Sequence, residues 1–204
     1  MRQLGVCGQV VILNGAPRSG KSSIAAEIQE TFDGTWMNLG VDVARLMAPP
    51  SAQPGIGLRP GEVGHTVASI VPVLYAALYE SIAAHSKLGL NVVVDVGHYE
   101  IATAVDSARR LAGLPVLFVG VRCSIEVIME RRRAAQPGTY AVSSRDEPVP
   151  DPILLWQHEV HAHWAYDLEV DTSTRTAAEC AVAIRKHLDS GPTPDAFGRL
   201  AQQR

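Results

Sequence analysis

The chain has 204 residues, 47% hydrophobic and 19% charged, ordinary globular usage for one domain with a substantial core. A formal net charge of −3 argues against a nucleic-acid or anionic-membrane surface, which needs a strong basic field, and no stretch reaches the ~18 apolar residues of a membrane span. Three cysteines, Cys7, Cys123 and Cys180, are odd in number and far apart, which argues against a disulfide framework or a paired-cysteine metal site.

The first element is the apolar run Val10-Val11-Ile12-Leu13, which reads as a buried strand. It leads into Gly15-Ala16-Pro17-Arg18-Ser19-Gly20-Lys21-Ser22, which fills G-x-x-x-x-G-K-[ST] at every position. A glycine-rich turn lets consecutive backbone N–H groups point at phosphate oxygens, and the helix opening at Lys21 adds the positive end of its dipole. Lys21 is expected to reach the β- and γ-phosphates of a nucleoside triphosphate, and the Ser22 hydroxyl to ligate Mg²⁺, a hard cation that takes oxygen donors. With Ser23, residues 15–22 form the candidate nucleotide site. The helix runs to about Phe32, with Ile24, Ile28 and Phe32 on one face, and stops at Asp33-Gly34.

Thr35 to Val41 reads as a second strand ending at Asp42, which places that carboxylate at the ligand-binding edge of the sheet. The alternative reading makes Asp42 the N-cap of a short helix through Leu46. Residues 49–61 hold four prolines and three glycines, so a loop over about 48–64 is expected to cover the substrate. From Glu62 to Lys87 the apolar spacing is helical, with Pro72 either starting a helix or kinking one. Leu90 to Asp95 is a continuous apolar strand closed by a carboxylate, the pattern of a Walker B aspartate beside Mg²⁺, or else of a cap on the helix from about Tyr99 to Leu111.

A fourth strand, Pro115 to Val121, precedes a helix capped by Ser124 and ending in Glu130-Arg131-Arg132-Arg133. Gln136-Pro137-Gly138 breaks it, and the polar segment from about 131 to 150 is expected to be a lid whose arginines meet phosphate, or else a solvated basic helix end. Asp151-Pro152 opens the next helix as N-cap and first-turn proline, with Trp156, Val160 and Trp164 on one face. Leu168 to Asp171 is the fifth strand and Thr176 to Leu188 the last amphipathic helix. Residues 190–204 are expected to be a flexible tail beyond a single domain over 1–189. His158, His161 and His163 do not match the spacing of a zinc motif and are expected to be surface or capping residues. The alternation of strands and helices predicts an α/β fold, a five-stranded parallel sheet with helices on both faces.

VILNGAPRSGKSSI with GVD at 40–42, NVVVD at 91–95, GVRC at 120–123 and YDLEVDTS at 166–173 resembles the chloramphenicol phosphotransferases, and the likeness extends from Val10 to about Leu188. The resemblance implies the P-loop kinase fold with strand order 2-3-1-4-5 and a helical lid. It also implies that Asp42 is the base for the acceptor hydroxyl and that Arg132 is the lid arginine. Asp95 is followed by Val96-Gly97-His98, where the family usually carries two acidic residues. The expected activity is ATP- and Mg²⁺-dependent phosphorylation of a hydroxyl on a small molecule, chloramphenicol or another natural product or metabolite. Asp42, Lys21 and Arg132 are the candidate catalytic residues, and Ser22 and Asp95 the metal residues. A nucleotide or other metabolite kinase and a P-loop regulatory protein without phosphoryl transfer are the alternatives. A reducing cytoplasm is the expected location, and the sequence leaves a homo-oligomer open.

Overall fold

Strand β1 (Val10–Asn14) is buried along its whole length, as an unbroken apolar run at the centre of a sheet must be. In the computed structural model, which describes residues 6–49, 70–135 and 148–203, β1 pairs in parallel with β3 (Asn91–Val96) and with β4 (Val116–Arg122). β2 (Trp36–Asn38) extends the sheet beyond β3, and β5 (Leu168–Asp171) beyond β4. Five parallel strands therefore stand in the order β2-β3-β1-β4-β5, as the family resemblance implied. Helices fill the connections: α1 (Lys21–Thr31) after β1, α2 (Val41–Leu46) and α3 (Val71–Lys87) after β2, and α4 (Ile101–Arg110) after β3. α5 (Ile125–Arg133) and α6 (Asp151–Ala162) follow β4, and α7 (Ala177–Ser190) and α8 (Ala196–Leu200) follow β5.

The alternation of β1 side chains divides the core. Val10 and Ile12 pack with Tyr79, Ile82, Phe118 and Phe197 under α3, α4 and α8. Val11 and Leu13 pack with Ile24, Ile28, Cys180 and Ile184 under α1 and α7. A smaller cluster of Ala16, Cys123, Ile128, Met129, Ile153 and Val160 ties α5 and α6 to the start of the loop after β1. Among the described residues no helix is long and apolar enough to cross a membrane.

Several elements depart from the sequence reading. β2 stops at Asn38, whose side chain accepts the Gly40 N–H at 3.1 Å and turns the backbone into α2. Asp42 consequently sits in the first turn of α2, whose N-cap is Gly40, so it neither ends a strand nor caps the helix. Pro72 lies in the first turn of α3 and starts that helix; residues 62–69 of the expected longer helix lie outside the described residues, as do residues 50–64 of the expected acceptor loop and 136–147 of the expected lid. Pro150 takes the N-cap of α6 in place of Asp151, and Trp164 follows the end of that helix, its indole donating to the His98 carbonyl at 3.1 Å. The expected loose tail instead contains α8, which buries Ala196, Phe197 and Leu200. Asp167 fixes its start by accepting the backbone N–H groups of Asp195 and Ala196 at 2.8 and 2.9 Å, and Phe197 supplies enough apolar surface to hold a five-residue helix on the core.

Candidate active site

The loop leaving β1 turns through two left-handed residues, Arg18 at φ 71° and Gly20 at φ 95°, before α1 begins at Lys21 with no side-chain cap. The first-turn N–H groups of α1 are thus available to an anion. Gly15 has no room for a side chain, since a Cβ there would lie 2.5 Å from the Val121 carbonyl oxygen and 2.8 Å from Ser19 Oγ. Lys21 is nearly buried, and its Nζ donates to the carbonyls of Gly15 and Ala16 at 2.9 Å each. The same ammonium is 3.5 Å from Asp95 Oδ1. The parallel register sets Asp95 beside Leu13, where its other oxygen accepts the Ser22 hydroxyl at 2.5 Å. Strand β3 thus delivers Asp95 to the start of α1, the position read for it from the sequence.

A cavity of about 700 Å³ opens over these groups. The loop and α1 contribute Gly15, Pro17, Arg18, Gly20, Lys21, Ser22 and Ser23 to its wall, and β3 contributes Asp95. Ala16 and Ser19, also named from the motif, are buried. The wall also includes Asp42 and Arg45 of α2, Tyr75 of α3, and Gly97, Tyr99 and Trp156. Asp42 Oδ1 is 3.6 Å from Arg45 Nε, one helical turn along. Tyr99 and Trp156 meet edge to face at 4.7 Å, and a Cβ on Gly97 would come within 3.0 Å of the Trp156 ring. Burial pushes the Tyr75 hydroxyl well above its usual range, so it stays protonated at neutral pH.

Arg131, Thr172, Arg175 and Thr176 also line the cavity. Of the three consecutive arginines Arg131 faces the cavity. Arg132 is 2% exposed and among the largest fully buried side chains, outside the cavity wall, because one residue along a helix turns the side chain by about 100°. The structure therefore brings Lys21, Ser22, Asp95 and Asp42 together around one space and leaves Arg132 in the interior. Sequence reasoning missed Arg45, Tyr75, Tyr99, Trp156, Arg131 as the facing arginine, and Arg175. Of these, Arg45 carried a signal, being one turn from Asp42 on a short helix.

A polar network supports the cavity from behind. Asn14, fully buried at the end of β1, donates through Nδ2 to the Val160 carbonyl and to the Tyr166 hydroxyl at 2.9 Å each, and its Oδ1 accepts the His98 N–H at 2.6 Å. The Tyr166 hydroxyl also meets His161 Nδ1 at 2.8 Å. Its ring lies on Gly120 of β4, where a Cβ would be 2.6 Å from the ring. His98 Nε2 meets the Tyr79 hydroxyl at 2.6 Å. Burial lowers His98 to about 3 and, with a smaller push from Arg122, His161 to about 4; both are neutral at pH 7. His158 and His163 lie on the exposed side, each against Glu159. Among the described residues no group of three or more His, Cys, Asp or Glu could hold a metal ion.

The family model of the chloramphenicol phosphotransferase-like proteins matches residues 8–189. Two Mycobacterium tuberculosis proteins, from strains CDC 1551 and H37Rv, each named "Putative O-phosphotransferase", are 28% identical over 215 residues, covering 96% of this chain and 89% of theirs. Among solved structures, the Mycobacterium tuberculosis APS kinase in complex with AMPPNP and APS superposes with a TM-score of 0.61 at 17% identity, over 91% of this chain and all of that one. The Deinococcus radiodurans tunicamycin resistance protein gives 0.63 at 16% identity, over 89% and 95%. The chain belongs to the chloramphenicol phosphotransferase-like family and is a kinase built on the P-loop fold.

Proposed function

We propose that this protein is a cytoplasmic O-phosphotransferase that moves the γ-phosphate of ATP to a hydroxyl of a small molecule, chloramphenicol or another natural product or metabolite. One observation supports the reading: a single cavity is lined by Lys21, Ser22 and Asp95 and also by Asp42 of α2. Phosphoryl transfer needs little covalent chemistry from the protein; it needs charge neutralisation at the phosphates and an acceptor oxygen held in line. Lys21 supplies the cation at the β- and γ-phosphates, and the N–H groups at the start of α1 supply donors. The neighbouring oxygens of Ser22 and Asp95, 2.5 Å apart, suit a hard divalent cation. Ser22 and Asp95 would hold Mg²⁺, which when bound neutralises phosphate charge. Asp42, on the acceptor side, takes the hydroxyl proton as general base. Its place matters more than its basicity, because a loose transition state asks little of the nucleophile.

The apolar and aromatic wall of Val41, Val71, Tyr75, Val96, Tyr99 and Trp156 fits an acceptor with an apolar body. A screen of hydroxylated compounds with ATP and Mg²⁺, chloramphenicol included, tests the reading when phosphorylated product is followed by mass spectrometry. Transfer to an alcohol supports it. ATP consumption that never exceeds the acceptor-free rate, with no phosphorylated product from any compound, refutes it.

A further inference from the structure

We propose that Arg131 is a positioning residue for the nucleotide site: with Thr172 it holds the P-loop in its anion-binding shape and is not itself a phosphate clamp. The inference rests on the reading that the cavity binds a nucleoside triphosphate. Arg131 Nη1 lies 3.2 Å from the Arg18 carbonyl, 3.2 Å from Thr172 Oγ1 and 3.4 Å from Cys123 Sγ, and Nη2 donates to the Thr172 carbonyl at 2.9 Å. Thr172 Oγ1 donates to the Ser19 carbonyl at 2.6 Å. Arg18 returns the contact, its Nη2 donating to the Arg131 carbonyl at 2.6 Å. Two consecutive P-loop carbonyls are thus held, one by the guanidinium and one by the threonine hydroxyl.

The held residue is the one that needs holding. Arg18 is left-handed at φ 71° and is the sole non-glycine residue with positive φ among those described. L-residues leave that region readily unless their surroundings fix it. With its carbonyl drawn toward Arg131, the peptide is fixed in a turn whose successive N–H groups can converge on an anion. A planar fork meets these four acceptor atoms from two nitrogens held in fixed directions, where an ammonium is a single point charge on a flexible stem. The contact is also tight against the loop. A Cβ on Gly20 would lie 3.3 Å from Arg131 Nη1 and 3.4 Å from Thr172 Cγ2. The Nη donors of Arg131 are engaged by protein acceptors in three separate connecting segments, which is the arrangement of a tie and not of a group waiting for phosphate.

If an unheld P-loop must be ordered by the ligand, nucleotide affinity falls by the population lost from the left-handed basin, about tenfold for one such residue. The experiment is calorimetric titration of the full chain with AMPPNP and Mg²⁺, for the wild type, Arg131→Lys, Thr172→Val, Thr172→Ser and the double variant Arg131→Lys/Thr172→Val. Arg131→Lys and Thr172→Val should each weaken binding about tenfold and the double variant little further, because the two side chains are bonded to each other and hold the same turn. Thr172→Ser, which keeps the hydroxyl, should bind as the wild type does. Wild-type affinity in Arg131→Lys, or a loss in the double variant that multiplies to about a hundredfold, overturns the proposal while leaving the nucleotide site standing. A wild type that does not bind AMPPNP overturns both. Should Arg131→Lys fail to fold, Thr172→Val against Thr172→Ser decides alone: equal affinities overturn the tie.

Discussion

Replacing Gly40 with alanine should damage the active site through a single methyl group. A Cβ built on Gly40 lies 3.0 Å from the Cβ of Asp95, 3.3 Å from its carbonyl oxygen and 3.4 Å from Asn38 Oδ1. Ordinary contact begins near 3.4 Å, so something must move by a few tenths of an ångström. Asp95 cannot easily retreat, because β3 is hydrogen-bonded between β1 and β2 and its carboxylate is engaged by Ser22 and Lys21. The alternative is that α2 shifts outward and carries Asp42 with it. Either movement changes the spacing between the two carboxylates. Overpacking of this kind costs about 1–3 kcal/mol of stability. With misplacement by 1 Å worth about 10² in rate, a few tenths should lower kcat/KM by roughly three- to tenfold. The assay is steady-state ATP turnover with an acceptor found by screening, beside thermal unfolding. Gly198→Ala is the control: nothing lies within 4 Å of its added Cβ, so activity should persist and α8 should gain up to about 1 kcal/mol. A Gly40→Ala protein with wild-type kcat/KM and melting temperature would refute the reasoning.

Lys21→Ala should lower turnover by orders of magnitude with the melting temperature little changed, measured by product formation and calorimetry; unchanged turnover ends the role assigned to the P-loop lysine. Asp42→Asn should keep AMPPNP affinity within a few fold while phosphoryl transfer falls sharply, because the base acts on the acceptor; transfer at the normal rate would leave Asp42 without a catalytic role. Phe197→Ala removes a ring 5.0 Å from Phe118 and 6.1 Å from Tyr79, itself 1% exposed. It should cost about 3–5 kcal/mol, or roughly 6–20 °C in melting temperature, and a drop under about 3 °C would contradict the docking of α8. His98, lowered to about 3 by burial, binds fewer protons folded than unfolded between its folded value and the ordinary value near 6.5. Stability should therefore fall as pH drops below about 6.5, by about 2 kcal/mol at pH 5 from this residue, and a flat unfolding free energy between pH 7 and 5 would refute it.

The sheet was legible because its strands are unmixed apolar runs. Val10 to Leu13 and Val92 to Val94 admit one role, and a carboxylate or a glycine-rich turn at the end of such a run marks the ligand edge. The P-loop wall of the cavity was legible because its residues are adjacent in sequence. The wall formed by α2, α3 and the Tyr99–Trp156 pair was not. Tyr75 sits in an apolar helical pattern indistinguishable from core, and Tyr99 and Trp156 come from two distant segments whose meeting depends on the missing side chain of Gly97. Which of three consecutive arginines faces the cavity turns on about 100° of helical rotation, which a cluster of like residues does not encode. α8 was missed because only Ala196, Phe197 and Leu200 carry its packing, too few to rise above a polar background rich in glycine and proline.

The bed that Gly120 makes for Tyr166 sets a limit on how this chain can vary. Within β4 the neighbours Val119 and Val121 are ordinary core positions, open to exchange among aliphatic residues of similar volume. At 120 even alanine would put a methyl 2.6 Å from the Tyr166 ring. To evict that ring is to release its hydroxyl from Asn14 and His161, groups that lie on β1 and α6 and share no sequence proximity with position 120. In a library that samples every residue of the central strands, position 120 should therefore behave as a hub. Substitutions there will be rejected for what they do to the end of β1 beneath the P-loop, and no second change confined to β4 can rescue them.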